Sequence, residues 1–308
     1  MENRSGADNG TKEIKQKRSF GDTLIGMLLT FLIIFLLGTI VSGFVNIFLY
    51  ILLNSDLING NFFSLFLVYF SVFCEFTVFI PYCMIFKSSR PVLNTLSFKN
   101  SRNSIKMAVI GLFSGAALNV ICILAAYLNK NIDFGPGEKN PLLFFLLFIV
   151  VLGQSSAEEF LCRGIMYHKI KKRYNAAAAI IVNALFFGLM HLANPGVSLL
   201  AVGNIILYGI FISLVMYYTE SMWCCCMLHA AWNFTQNIVF GLPNSGIKST
   251  YSILSLKGDQ VSDVFFYNTD FGVEGTGIVC VELAAAIVLI LLAGRKIGVK
   301  EKCEICDE

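Results

Sequence analysis

The chain has 308 residues, of which 56% are hydrophobic and 14% charged, and its mean hydropathy is +0.71. That composition excludes an ordinary soluble domain, which is less apolar and carries nearly twice the charge. The net charge of +3 is, from its distribution along the chain, a topology signal rather than a nucleic-acid footprint, and no nucleic-acid partner is expected.

Apolar runs long enough to cross a hydrocarbon core of roughly 30 Å recur along the chain. They predict spans near 23–53, 62–86, 105–128, 141–168, 176–193, 198–219, 222–241 and 275–294. The fold class is therefore all-α: a polytopic membrane protein, a bundle of about eight transmembrane helices in one domain over 20–295, with the lipid bilayer as a partner. Residues 1–19 are polar and basic and read as a disordered cytoplasmic tail with no cleavable signal; 296–308 read as a second cytoplasmic tail. With the N-terminus assigned to the cytoplasm, the inner side collects 18 basic residues: Arg4, Lys12, Lys15, Lys17, Arg18, Lys87, Arg90, Lys99, Arg102, Lys106, Lys169, Lys171, Lys172, Arg173, Arg295, Lys296, Lys300 and Lys302. The outer side holds four, Lys130, Lys139, Lys248 and Lys257. This bias predicts a multi-pass protein with both termini cytoplasmic. Most of the ten cysteines lie in or beside spans and read as small hydrophobes. Cys303-Glu-Ile-Cys306 is a lone CxxC, too little for a zinc site.

The first two spans are rich in Phe, Leu and Ile and read as lipid-facing. Glu75, deep in the second, has no basic neighbour in sequence and is expected to hydrogen-bond within the bundle rather than reach a site. Proline at Arg90-Pro91 ends a helix in the inner loop 87–106. Asn119 in the third span reads as interhelical glue, and Gly135-Pro136-Gly137 breaks the outer loop before the fourth.

The fourth span brings Ser155-Ser156-Ala157-Glu158-Glu159-Phe160-Leu161-Cys162-Arg163 to the end of the apolar run Leu142 to Leu152. An ionisable group in a spanning helix costs roughly 2.5–3.5 kcal/mol on insertion scales, so such groups usually mark function. Glu159 and Arg163 are four apart and pair on one face. Glu158 stands about 100° round the helix and is left free. One acid therefore reads as structural, the other as available for chemistry.

A turn at Arg173-Tyr174-Asn175 makes the fourth and fifth spans a hairpin. Glu158 and His191 lie at similar distances from that turn, roughly 24–26 Å at the helical rise, so antiparallel neighbours bring them level. Asn183, Phe187 and His191 share one face. His168 lies in the basic interface and is expected to snorkel. The seventh span carries His229, Asn233 and Asn237 at spacing four, a polar stripe on an apolar helix. The outer loop 242–274 is the longest, holds Asp259, Asp263, Asp270 and Glu274, and reads equally as a lid or a solvated connection. Glu282 in the last span is a second unpaired acid, read like Glu75.

A free glutamate level with a histidine can orient and deprotonate a water. A second histidine with a neighbouring Asn amide can donate to a developing oxyanion. Such parts suit hydrolysis of an amide in a wet cavity inside the membrane. Two histidines and a carboxylate are also a possible catalytic-zinc set, here Glu158, His191 and His229. Arg163 competes with a cation for Glu159, and Asn233 is a better donor than ligand. No cofactor is therefore favoured, and zinc is the alternative.

In order, Glu158-Glu159-x-x-x-Arg163, Phe187-x-x-x-His191 and His229-x-x-x-Asn233 resemble the three motifs of the CAAX prenyl endopeptidase and bacteriocin-processing family, abbreviated CPBP or ABI. The resemblance runs from about Gln154 to Asn237. It implies an intramembrane endopeptidase over 20–295 acting on a membrane-anchored protein or peptide. By the same resemblance, Glu158 and His191 activate water, His229 and Asn233 surround the oxyanion, and Glu159 and Arg163 support the site. A glutamate-type peptidase is favoured over a metalloprotease. Two other classes carry such residues: a non-enzymatic immunity or adaptor protein with a packing network, and a proton- or ion-coupled transporter. A transporter favours helices broken at midplane, whereas the break Asn194-Pro195-Gly196 falls near the membrane edge.

Overall fold

The computed structural model describes residues 23–53, 60–98 and 102–297. The N-terminal tail, the C-terminal tail beyond Ile297 and the CxxC pair lie outside the described residues. The chain runs through α1 (Leu24–Leu53), α2 (Gly60–Phe73), α3 (Phe76–Ile85), a 3-10 segment (Lys87–Leu96) and α4 (Ile105–Leu128). Strand β1 (Phe134–Pro136) precedes α5 (Pro141–Glu159), a π-helical turn (Phe160–Met166) and α6 (Tyr167–Arg173), which together make one long helix. Then come α7 (Ala176–Met190), α8 (Leu199–Thr219), α9 (Met222–Phe234) with a second π turn (Thr235–Val239), strand β2 (Leu254–Leu256) and α10 (Gly277–Ile297).

The helix starts are written in the sequence. Ser104, Asn140, Asn175, Ser198 and Ser221 each stand at an N-cap, and each side chain accepts a backbone N–H from the first turn behind it,. The expected turn after the basic run is present between Arg173 and Ala176.

Six helical stretches among the described residues are long and apolar enough to cross a membrane: Leu24–Leu52, Gly60–Ile85, Ile105–Leu128, Pro141–Arg173, Leu199–Thr219 and Gly277–Gly294. The protein is thus an all-α polytopic membrane protein. The other two expected spans are shorter: α7 has 15 residues and α9 has 13 before its π turn. Hydrogen bonds nevertheless sort the connections to two ends of the bundle. At one end Asn103 meets Ser221 and Trp223, and Arg102 pairs with Glu220. At the other, β1 pairs antiparallel with β2, Asn131 meets Val261, Asn194 meets Ser245 and Thr250 meets Asn61. The short helices α7 and α9 each run from the first end to the second.

Close packing centres on α9. A Cβ added at Gly111 or Gly115 of α4 would collide with the carbonyl oxygen of Cys224 or Leu228. Small residues at such a contact let two membrane helices approach backbone to backbone. Asn119, on the same helix, donates Nδ2–H to Gln236 Oε1 at 2.8 Å, the interhelical bond expected of it. Glu282 is also held within the bundle, accepting from Cys122 Sγ at 2.9 Å. The cysteines among the described residues are all free thiols.

Candidate active site

Two π turns sit beside the motif residues. The first begins at Phe160, immediately after Glu159, and contains Arg163; the second begins at Thr235, two residues after Asn233. A π turn inserts a residue's worth of rotation and leaves carbonyls out of the ordinary ladder, a pattern common at functional sites. Side chains take up those carbonyls here. His168 Nδ1–H donates to the Arg163 and Gly164 carbonyls, both at 2.8 Å, and Asn183 Nδ2 donates to the Cys162 carbonyl. His168 is therefore buried rather than snorkelling, because the π turn supplies acceptors that the sequence alone does not reveal.

The two adjacent glutamates part company as the helix geometry requires. Glu159 and Arg163 are fully buried and pair at 3.2 Å. Arg163 also donates Nη2–H to the Gly209 carbonyl at 3.1 Å, and its guanidinium lies 4.6 Å from the Phe187 ring centroid. The second partner of Glu159 is His229, whose Nδ1–H donates to Glu159 Oε1 at 2.9 Å. That bond fixes the ring and turns Nε2 toward Glu158, 3.7 Å from Glu158 Oε2.

Glu158 keeps 18% of its side chain accessible. Its Oε1 accepts from Gln154 Nε2 at 2.6 Å, while its Oε2 has no hydrogen-bond partner among the described residues. Gln154 is itself oriented by Asn233 Nδ2 at 3.2 Å and Ser155 Oγ at 3.0 Å, both donating to Gln154 Oε1. Asn233 also donates to Ser155 Oγ at 3.3 Å. The stripe His229–Asn233 is thus wired into the glutamate motif twice, once at Glu159 and once through Gln154. Asn237, next on the stripe, accepts from Tyr69 Oη at 3.1 Å and donates to the Leu242 and Ile247 carbonyls; it ties down the following loop.

A chamber of about 490 Å³ opens beside these groups, lined by Glu158, His191, His229 and Asn233 together with residues of α1, α2, the α7–α8 turn and the loop after α9. His191 caps the C-terminal end of α7, and its Nδ1–H donates to the Phe187 carbonyl at 2.8 Å, leaving Nε2 as the bare nitrogen. Glu158 and His191 do share the chamber, as their positions on the hairpin predict. The histidine nearest Glu158, however, is His229; no ring nitrogen of His191 comes within ion-pair distance of a carboxylate among the described residues.

Three side chains at the site carried no site reading in the sequence. Gln154 lies one helical turn before Glu158, a spacing that a search for i, i+4 pairs finds. Glu274 reaches in from the long outer loop, accepting from Trp232 Nε1 at 2.9 Å and from Ser245 N and Oγ, both at 2.7 Å. It lines a small second cavity with His191 and His229. Burial pushes its carboxyl above the usual range, while the Ser245 and Trp232 bonds and His191 pull the other way. Glu75, which the sequence predicts to bond within the bundle, has no hydrogen-bond partner for its carboxylate among the described residues and lines the chamber instead. The loop is not a loose connection, since Asn204 Nδ2 also holds the Glu274 and Thr276 carbonyls at 2.8 Å.

As to a metal, no three His, Cys, Asp or Glu side chains among the described residues gather closely enough to hold an ion. Of the candidate zinc ligands, Glu158 Oε2 and His229 Nε2 stand 3.7 Å apart, His191 lines the same chamber without completing a group of three, and Glu159 is taken by Arg163 and His229. The donor set does not fit a closed zinc site.

Residues 140–235 match the family model of the type II CAAX prenyl endopeptidases, Rce1-like. The matched segment contains all three motifs and every bond that joins them, from Gln154 to Asn233. It agrees with the family that those motifs resemble. Glu75 and Glu274 lie outside it. Neither the comparison with curated proteins nor that with solved structures gives a match.

Proposed function

We propose that the protein is an intramembrane endopeptidase of CAAX type that hydrolyses a peptide bond in a membrane-anchored, prenylated protein or peptide. The observation that carries this reading is the state of the two glutamates. Each leaves its Oε2 without a hydrogen-bond partner, but Glu159 is fully buried with its Oε1 on Arg163 and His229, whereas Glu158 keeps 18% of its side chain accessible and lines the chamber beside His229. A carboxylate fixed at one oxygen by Gln154 and unpartnered at the other, on a side chain that lines the chamber, is the form a general base requires.

In this mechanism Glu158 takes a proton from a water whose oxygen adds to the scissile carbonyl carbon. His191, across the chamber, orients that water through Nε2. His229 works as the imidazolium: one N–H stays on Glu159, and the Nε2–H meets the oxyanion; Asn233, whose two amide N–H groups hold Gln154 and Ser155, joins it by turning one of them to the oxyanion,. Collapse of the tetrahedral intermediate breaks the C–N bond, and Glu158 returns its proton to the leaving amine. The metal-independent, glutamate-type reading is supported by the lack, among the described residues, of a third ligand gathered with Glu158 and His229.

The test is cleavage of farnesylated and of unprenylated membrane-anchored peptides by the full-length protein in proteoliposomes, followed by mass spectrometry. Glu158→Ala, His191→Ala and His229→Ala are each expected to lose about a hundredfold or more in rate while the protein stays in the membrane. Cleavage of a verified substrate at the parental rate by the Glu158 and His191 variants would sink the proposed base and return the site to a non-enzymatic packing network.

A further inference from the structure

Glu75 stands where the second span breaks. Helix α2 ends at Phe73 and α3 begins at Phe76, and between them Cys74 and Glu75 turn in 3-10 fashion, with Glu75 N–H donating to the Val72 carbonyl at 3.0 Å. The break aims the side chain at α1, across Gly38. A Cβ on Gly38 would lie 3.2 Å from Glu75 Cγ and 3.3 Å from its Cδ, so the glycine makes the shelf on which the acid rests. Glu75 is only 5% exposed, yet it lines the same chamber as Glu158, His191, His229 and Asn233.

No hydrogen bond or ion pair reaches its carboxylate among the described residues, although its oxygens are not sealed off from the cavity. No Lys or Arg lines the chamber. The one arginine close to the motifs, Arg163, is committed to Glu159 and the Gly209 carbonyl. The chamber therefore has apolar walls, hydroxyls and amides such as Thr39, Ser42 and Asn244, and two carboxylates: Glu158, with His229 Nε2 at 3.7 Å, and Glu75, with no counter-cation among the described residues. In a low-dielectric cavity such a field selects a positive charge and rejects a negative one.

We propose that Glu75 forms a substrate subsite that receives the cationic side chain, lysine or arginine, of a peptide lying in the chamber with its scissile bond at Glu158. The inference rests on the endopeptidase reading and adds a charge preference to it. Glu75 touches substrate away from the reacting atoms and sets specificity.

The probe is a fluorescein-labelled farnesylated peptide bearing a single lysine, moved position by position, against the same peptides with norleucine or glutamate in its place. Binding to the full-length protein in nanodiscs is read by anisotropy, and cleavage separately by mass spectrometry. At one register the lysine peptide is expected to bind about tenfold or more tighter than its norleucine counterpart, and the glutamate peptide weakest. Glu75→Gln brings the lysine-to-norleucine ratio to about one, and Glu75→Lys reverses the order of the lysine and glutamate peptides. The scan on the parental protein alone decides the matter if a variant does not fold. Equal binding of lysine and norleucine at every position, or binding of no peptide at all, overturns the subsite. A lysine preference in binding without cleavage leaves the subsite standing and removes the endopeptidase reading; cleavage without any preference does the reverse.

Discussion

Gln154 donates Nε2–H to Glu158 Oε1 at 2.6 Å, one helical turn before it, and receives Asn233 Nδ2–H on its own Oε1. The pair fixes one carboxylate oxygen and so determines which face of Glu158 meets the chamber. A hydrogen bond to a charged group contributes roughly 1.5–3 kcal/mol, so Gln154→Ala is expected to lower kcat by about tenfold to a hundredfold with little change in KM. Steady-state kinetics on a cleaved membrane peptide measures it. An unchanged kcat would mean that Glu158 is oriented by something other than this bond.

The Glu159–Arg163 pair makes a different prediction, because both side chains are fully buried. Removing one partner strands the other's charge in the bundle, which destabilises by about 3–5 kcal/mol. Glu159→Ala and Arg163→Ala should therefore lose both activity and folded protein, seen as a large fall in melting temperature in detergent. Arg163→Lys is not expected to rescue either, since an ammonium cannot serve Glu159, the Gly209 carbonyl and the Phe187 face together. Normal melting of Arg163→Ala would rule out the structural role.

These two predictions rest on features that differ in how plainly the sequence carries them. The spacing of Glu159 and Arg163 on one helix specifies their pairing, and the separation of Glu158 from that pair follows from the 100° step. The capping residues Ser104, Asn140, Asn175, Ser198 and Ser221 announce helix starts. What periodicity cannot express is a π turn, which shifts register inside a helix without any change of composition; hence the burial of His168. Nor can it tell which histidine faces which acid across three helices. Reading along the hairpin pairs Glu158 with His191, whereas the shortest contact runs to His229 on α9, a helix outside that hairpin. Glu274 was hidden for another reason: an acid in a polar loop looks solvated until the loop folds back onto Trp232.

Glu274 gives a pH prediction. It lies outside the spans, and burial raises its carboxyl above the ordinary range. A carboxyl raised on folding binds its proton more tightly in the folded state. Its contribution to stability is present below the unfolded value, about 4.3, and is lost as pH rises through the higher folded value. Glu274→Gln does not titrate, so the parental protein should lose melting temperature relative to that variant as pH is raised across this window. A difference between the two that stays constant with pH would contradict the assignment.

The orientation of the bundle is tested separately. Gly135 and the β1–β2 pair lie at one end, and the Asn103–Ser221 contact lies at the other. The bias of 18 basic residues against four predicts that the Asn103–Ser221 end, and both termini, face the cytoplasm. Reporter fusions at Gly135 and Lys300 should report outside and inside respectively. An outside signal at Lys300 would break the eight-span arrangement.

The remaining prediction concerns metal. If the reaction runs through Glu158 as base and His229 at the oxyanion, His229 has no ring nitrogen left for an ion, because Nδ1–H is held by Glu159 at 2.9 Å and Nε2–H is committed to the substrate oxygen. Only Glu158 and His191 would then remain as ligands, fewer than the three protein groups that hold a catalytic zinc. Introducing zinc at Glu158 and His229 would also bring a divalent charge toward Arg163, which already neutralises Glu159 at 3.2 Å, and the two cations would repel in a medium of low dielectric. Cleavage is therefore expected to survive prolonged chelation, and elemental analysis of the active, detergent-purified protein should give well under one zinc per chain. Stoichiometric zinc with chelator-sensitive, zinc-restorable cleavage would reverse the assignment and make His229 a ligand, in which case Glu159 would serve to orient that ligand from behind.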